Sequence, residues 1–543
     1  MRMRDGNSEA GYTMIMTTLA MSLIMTLAVV AVAAVNGDTN QQTYDLGRKQ
    51  AYEAAKAGVE DYSFQLKANS AYWEKCATVT EPSAVNQVGS TTKQRFVPGS
   101  VTAKYAIELL PAENQTSATP YTSCNTSNPQ ASMLEASGSL VGSFRVRSTG
   151  FAAKSKVSLV ATFKRPSFLD YVYFTQFETS DPIIYASSSW LKAAYERCER
   201  TIQEGRYTTS ITGSNGKYCN VISFINGEEI DGPLHTNDAF VVCGSPVFGR
   251  TAADSIEVGA SSPGWYWGAS SALGSARLSS SNCSSANPTF KGTFKTNSPN
   301  LEPPSTNGEL STIAQSTFRY TGQVRICLSG TTMKVSYNGT CDGSKYSGAI
   351  PSNGVVYVFN GTCSTAYTPF TATYPSTSGC GNAVVSGSYS GALTIAAEND
   401  IVVRESLNRT GNGLLGLIAN NFVRVFHNYP SENADTCHGD SDSSDDDEDE
   451  QYVKDINIDA AMLAINHSFI VDHYDCGSDL GTLTVEGAIA QKFRGPVGTF
   501  SGGSTASGFS KNYEYDDRLR YIEPPSFLDP VTKSWVIGRE TQG

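Results

Sequence analysis

The sequence predicts two parts of different class. An α+β N-terminal part sets one long helix on a small antiparallel sheet. A mainly-β part follows, folded as a parallel β-solenoid, with a β-sandwich as the alternative. Three observations carry this. Residues 12–35 form a run of 24 without a charged side chain. Good helix formers then continue through Leu66. From about Thr78 apolar and polar residues alternate between Gly- and Asn-rich breaks, with a faint repeat in the second half.

The apolar run, as a helix, would be roughly 36 Å long, enough for a bilayer core of about 30 Å. Arg2, Arg4 and the amino terminus precede it, partly offset by Asp5 and Glu9. That bias places the N-terminus in the cytoplasm and the rest of the chain outside, as a single-pass membrane protein. Three readings compete. Ala31-Val32-Ala33 could end a signal peptide, although the run before it exceeds the usual length. A plain anchor helix explains the length. The third reading rests on Gly11-Tyr12-Thr13, a Gly before an aromatic residue at the start of the run.

That site resembles type IV pilins, whose leader ends in Gly before an aromatic residue that a prepilin peptidase exposes and methylates. The resemblance implies a leader 1–11 and a mature start at Tyr12, with other pilins or pseudopilins as partners through the helix. Most pilins carry Glu at the fifth mature position, where this chain has Met16. The family's Glu is thought to pair with a neighbour's terminal amine inside an apolar bundle, where an unpaired charge is costly. A subunit lacking it suits the tip better than the repeating shaft.

The helix is expected over 12–68. Through "RKQAYEAAKAGVEDYSFQL" (48–66) and the Tyr44 before it, Tyr44, Ala51, Ala55, Gly58, Tyr62 and Leu66 mark one helical face. Small residues in mid-stripe let another backbone approach closely, so Met16, Ala51, Ala55, Gly58 and Tyr62 are the candidate packing residues of this helix. The run Ala51, Ala54, Ala55, Ala57-Gly58-Val59-Glu60 resembles the N-terminal domain of PilX-type pilus biogenesis proteins, which implies a role in type IV pilus assembly and at the cell surface.

Residues 69–165 read as a small β-rich, pilin-like head, with "VTAKYAIELL", "GSFRVRSTGFAA" and "KVSLVATFK" as strands. Residues 166–200 read as a connection, and 201–543 as the solenoid-like domain. Its signal is a recurrent Asn: Asn237, Asn399, Asn421 and Asn466 each precede an aliphatic strand start, and Ala397, Ala419 and Ala464 stand two residues before the last three. A period near 22 with one short strand per pass suggests stacked parallel coils. Asn suits their corners because it tolerates left-handed backbone angles. "DGPLHTND" (231–238) reads as a turn feeding a strand, and "YEYDDRLRYIEPP" (513–525) as a cap on the open end through Tyr513, Tyr515 and Arg518.

Only 17% of the 543 residues are charged, a flavour of exported β-rich proteins. The formal charge is −12, but residues 440–450 alone hold eight acidic side chains, so no broad nucleic-acid surface is expected. That acidic loop, 437–451, reads as extended and solvated, lacking the Gly of an EF-hand turn, with weak Ca²⁺ association as the alternative. Twelve cysteines, none in a C-x-x-C pair, read as disulfides in an exported region. Near neighbours are candidate pairs: Cys198 with Cys219, Cys327 with Cys341, Cys363 with Cys380.

Five histidines, His235, His427, His438, His467 and His473, form no metal-binding motif. No nucleophile elbow or phosphate-binding loop occurs. No catalytic residue, metal or cofactor is therefore expected. The rival from another class is a polysaccharide-active β-helix enzyme working through Asp231, Asp238 and Asp400. A third reading is a non-pilus surface adhesin on a plain anchor.

Overall fold

The computed structural model describes residues 10–76, 94–115, 119–135, 142–186, 189–204, 206, 219–220, 222–267, 285–363, 379–427, 454–501, 504–531 and 535–542. The acidic loop, His438 and the leader before Ala10 lie outside these. Two compact units divide the chain: Met1–Arg165 together with Lys533–Gly543, and Pro166–Thr532.

The first unit is a helix on a sheet. One α-helix runs unbroken over Ala10–Ala68, 59 residues, so the apolar run and the Ala-rich stretch are a single element. Five antiparallel strands follow in the order Arg95–Phe96, Lys104–Leu110, Phe144–Ala152, Ser155–Lys164 and Val536–Gln542. Val59, Tyr62 and Leu66 of the helix meet Ile107, Val146, Leu159, Ala161 and Phe163 of the sheet, with Trp73 and Trp535 closing the core. The expectation that the head ends at 165 is corrected here. The closing strand pairs Val536 with Lys164 after the whole second unit has been traversed. Its residues are mostly exposed, so no alternating pattern announced it. Backbone pairing and the buried Trp535 hold it instead.

The second unit is a ladder of short, mostly parallel strands. Ala397 pairs with Ala419 and Ala419 with Ala464, in register as the repeat implied. Ile401 pairs with Val423, but Val423 pairs with Phe469 rather than with Ser468, a slip of one residue after Ala464. Between levels the corner asparagines join side chain to side chain: Asn421 Nδ2 donates to Asn399 Oδ1 at 2.7 Å, and Asn399 Nδ2 to Asn382 Oδ1 at 2.6 Å. Each level buries Ala, Ile, Leu and Val, fully covered by the levels on either side.

Chain order and ladder order differ. The unit's first strand, Tyr173–Phe177, lies inside the ladder, so residues 166–200 are part of this unit and no mere connection. From there the chain builds outward through 229–236, 247–258 and 289–295. Residues 296–318 then run back along the side. Asn237 Nδ2 donates to Leu301 O at 2.7 Å and Asn307 Nδ2 to Ala397 O at 2.8 Å. Strands restart at Arg319–Thr321 and Val324–Gly330 and return through Ala392–Ala397 and Leu414–Ala419 to Asp479–Phe493 and Ser504–Tyr515.

Candidate functional site: the two halves of the N-terminal helix

The helix changes its surroundings along its length. Met14–Ala31 has a mean hydropathy of 2.2 and none of it is buried. Met16 is 56% exposed, Ile24 66% and Met25 74%. Its hydroxyls are satisfied from within. Thr17 Oγ1 donates to Met14 O at 3.0 Å, Ser22 Oγ to Leu19 O at 2.9 Å and Thr26 Oγ1 to Leu23 O at 2.8 Å. Back-bonding of this kind leaves no side-chain donor that requires water. The segment is therefore chemically equipped for an apolar surrounding, whether lipid or other apolar helices. The backbone of Gly11 and Tyr12 belongs to the same helix.

The second half is seated on the sheet. Ala51, Ala54 and Ala55 are fully covered, as are Val59, Tyr62 and Leu66. Ala51, Ala55, Gly58 and Tyr62 thus pack within their own head, outside the Met14–Ala31 span, whereas Met16 alone of the five candidates lies within it. Two glycines set the closeness. A Cβ on Gly58 would lie 2.8 Å from Tyr105 Cδ2, and one on Gly150 would be only 3.0 Å from the Ala51 carbonyl carbon. Tyr44, counted on the same face, is 60% exposed. At the edge of the seat Asp61 accepts from Tyr105 Oη at 3.0 Å and from Arg95 at 2.7 Å. Burial, with Asp61's charge beside it, pushes the Tyr105 hydroxyl up to about 12.

The other singled-out residues have structural surroundings. Cys198–Cys219, Cys327–Cys341 and Cys363–Cys380 are bonded, with Cα separations of 5.6, 5.7 and 4.4 Å. Cys76–Cys124 in the head is a fourth bridge, which spacing alone did not suggest. Of the three rival carboxylates, Asp238 is buried against Arg206 and Asp400 against Arg424 at 3.1 Å. Asp231 pairs in the ladder with Glu514. His467 Nδ1 meets Asp181 at 2.6 Å, and its ring stacks on Phe422. His235 lies between Glu257 and Asn237. His427 and His473 bond backbone carbonyls. Among the described residues, no three His, Cys, Asp or Glu are grouped to hold a metal ion.

Sequence reasoning missed a buried ionic cluster in the second unit. Arg494 lies 3.5 Å from Glu178 and 3.7 Å from Glu228, which also pairs with Lys511. Burial raises the Glu178 carboxyl against the pull of Arg494, and lowers Lys511 against that of Glu228. These four residues come from distant stretches, so no local spacing could have grouped them.

No family model matches this sequence, and no curated protein does. Among solved structures, the chain is similar to a competence-associated pilin, ComZ, from Thermus thermophilus, with 12% identity over 91% of this chain and 96% of that one, at a TM-score of 0.26.

Proposed function

We propose that this protein is a pilin-like, membrane-anchored subunit that takes part in type IV pilus assembly. Its N-terminus is cytoplasmic and its large β unit is exported. One observation carries the reading: a single unbroken helix is bare and apolar over Met14–Ala31, yet seated on a small antiparallel sheet by Ala51, Ala55 and Gly58. A signal peptide has no need of such continuity. The bare half would lie in the membrane first and among other pilin or pseudopilin helices afterwards. Met16 supplies no carboxylate for a neighbour's amine, and the second unit spans residues 166–532. Both features favour a minor subunit at the tip over a shaft subunit, with prepilin peptidase as the processing partner. The ladder is read as a parallel β-solenoid, because levels about one 22-residue period apart pair in register at Ala397, Ala419 and Ala464. Its role is display and surface contact, with no catalytic step.

The deciding experiment is the N-terminal mass of protein from native membranes or sheared fibres. A chain starting at N-methylated Tyr12 is the expected result. An intact Met1 would leave a plain anchor, and a start near Ala34 a signal peptide. Either would overturn the pilin reading.

A further inference from the structure

One end of the head sheet differs from the rest. Phe96 pairs with Lys104, Lys104 with Phe151 and Phe151 with Lys156, so four strands bring Phe, Lys, Phe and Lys into one row. Opposed residues point to the same face, and successive residues to opposite faces. Tyr105 and Gly150, next along, meet Gly58 and Ala51 of the helix, so the row lies on the face turned away from it. Each lysine lies over a ring, Lys104 Nζ 4.6 Å from the Phe96 centroid and Lys156 Nζ 6.0 Å from that of Phe151. Farther along the same face charge is neutralised, as Arg147 is by Glu108 at 3.0 Å.

The turns beyond the row share its character. Val101 is 88% exposed and Phe96 53%, and Lys154 and Lys156 are exposed beside them in the sequence order of the sheet's end. Helix numbering falls toward this end: Gly58 stands by Tyr105, Ala51 by Gly150 and Gly47 by Ser155. Tyr44, Leu46, Arg48 and Lys49 are exposed there, with Asp45 as a partial offset. The apolar half of the helix therefore leaves the head from its basic, aromatic end.

We infer that this end of the head docks on anionic phospholipid, in the membrane that holds Met14–Ala31, before any assembly. The inference rests on the membrane-anchored reading above. Two arguments name the occupant. Lysine among exposed aromatic and aliphatic side chains is the composition that seats at a headgroup layer, and each lysine near an anionic surface raises occupancy about five-fold. The unbroken helix then brings that layer within reach. From Val35 to Gly47 it climbs about 18 Å, so an upright helix holds the head clear of the headgroups. The apolar run, roughly 36 Å against a core of about 30 Å, is matched by a tilt of about 35°. Tilt toward the sheet, which lies about 10 Å off the helix axis, brings the turn at Lys154 to about 9 Å from the hydrocarbon, within a lysine's reach of the phosphates. The basic row thus sets the direction of the tilt.

Full-length protein in lipid nanodiscs tests this, with Val101→Trp as the reporter and phosphatidylcholine spin-labelled on its headgroup as the quencher. In discs of about one-third phosphatidylglycerol, quenching of the added Trp above the wild type should exceed that in all-phosphatidylcholine discs at least about three-fold. It should fall to the neutral-disc level at about 1 M salt, where the Debye length is about 3 Å. The same fall is expected in the variant carrying Lys104→Gln, Lys154→Gln and Lys156→Gln. If that variant does not fold, Lys154→Gln with Lys156→Gln, both at exposed positions, decides. Equal quenching in the two lipids overturns the inference, as does phosphatidylglycerol-dependent quenching that survives loss of the lysines. So does a reporter shielded only in sheared fibres, which would assign this surface to a neighbouring subunit. Failure of the discs to retain the chain would instead overturn the anchored reading, and this inference with it.

Discussion

Replacing Gly150 by Ala tests the seating of the helix. The added methyl would overlap backbone atoms of Ala51 and Ala55, which cannot swing aside as a side chain can. Helix and strand must separate by about 1 Å, and a gap of that size forfeits a quarter to a half of the contact energy. Val59, Tyr62 and Leu66 are fully covered at this interface. At roughly 2 kcal/mol each, a quarter to a half of their burial is about 1.5–3 kcal/mol, in the range of measured overpacking. Amide exchange over 48–66 in the detergent-solubilised chain should accelerate about 10- to 150-fold. Gly47→Ala is the internal control. Its Cβ would come within 3.0 Å of Ser155 Oγ, a side-chain atom, with the Ala152 carbonyl oxygen at 3.6 Å, and mid-helix Ala gains about 0.5–1 kcal/mol over Gly. Unchanged exchange in Gly150→Ala, or equal damage from Gly47→Ala, would refute the argument that backbone proximity sets the seat.

Two further outcomes follow from the geometry. The Tyr105 hydroxyl, raised to about 12 by burial and by Asp61, favours the neutral form in the fold. Its contribution is complete below pH 10 and is lost as pH climbs toward about 12, so helix seating should weaken over that window. Absorbance titration of the wild type against Tyr105→Phe checks it, and a Tyr105 titrating at 10 would sink the claim. Removing the Cys327–Cys341 bridge, whose ends are 14 positions apart in the sequence, should cost about 3 kcal/mol. The loss should appear as faster exchange in Thr332–Ser336 and Tyr346–Ala349, and an undisturbed hairpin would contradict it.

The head was legible because its signals are local. A charge-free run, an Ala-rich helical face and "KVSLVATFK" each report one element's surroundings. The repeat was legible where levels follow one another in the chain, so Ala397, Ala419 and Ala464 could be aligned by eye. Legibility failed where pairing joins remote segments. Val536–Gln542 has no apolar alternation because it is an exposed edge. Tyr173–Phe177 looked like part of a connection because its ladder partners lie near 234 and 489. Tyr513 and Tyr515 were placed at an end because they come late in the sequence, and chain position is a poor guide once a ladder starts from its middle. Of the bare helix, the sequence supplied nearly everything; of the seat, it supplied the small residues but not Gly150, whose role depends on a strand from another stretch.

The mid-ladder start has a physical rationale. Ser155–Lys164 and Val536–Gln542 are neighbouring antiparallel strands, about 4.8 Å apart, and the second unit is inserted between them in the chain. A stack threaded from one end to the other would set its first and last strands far apart. With roughly ten levels at that same spacing, its ends would stand on the order of 40 Å apart. Beginning at Tyr173–Phe177, building outward to Thr293–Lys295, and crossing back along 296–318 brings the unit's last strand, Ser504–Tyr515, beside its first, after which Phe527 and Leu528 are buried on the ladder and Val531 N donates to Glu302 O at 2.9 Å. The strap through Leu301 and Asn307 is the cost of that route, and the bond between Tyr515 and Leu169 is what it achieves.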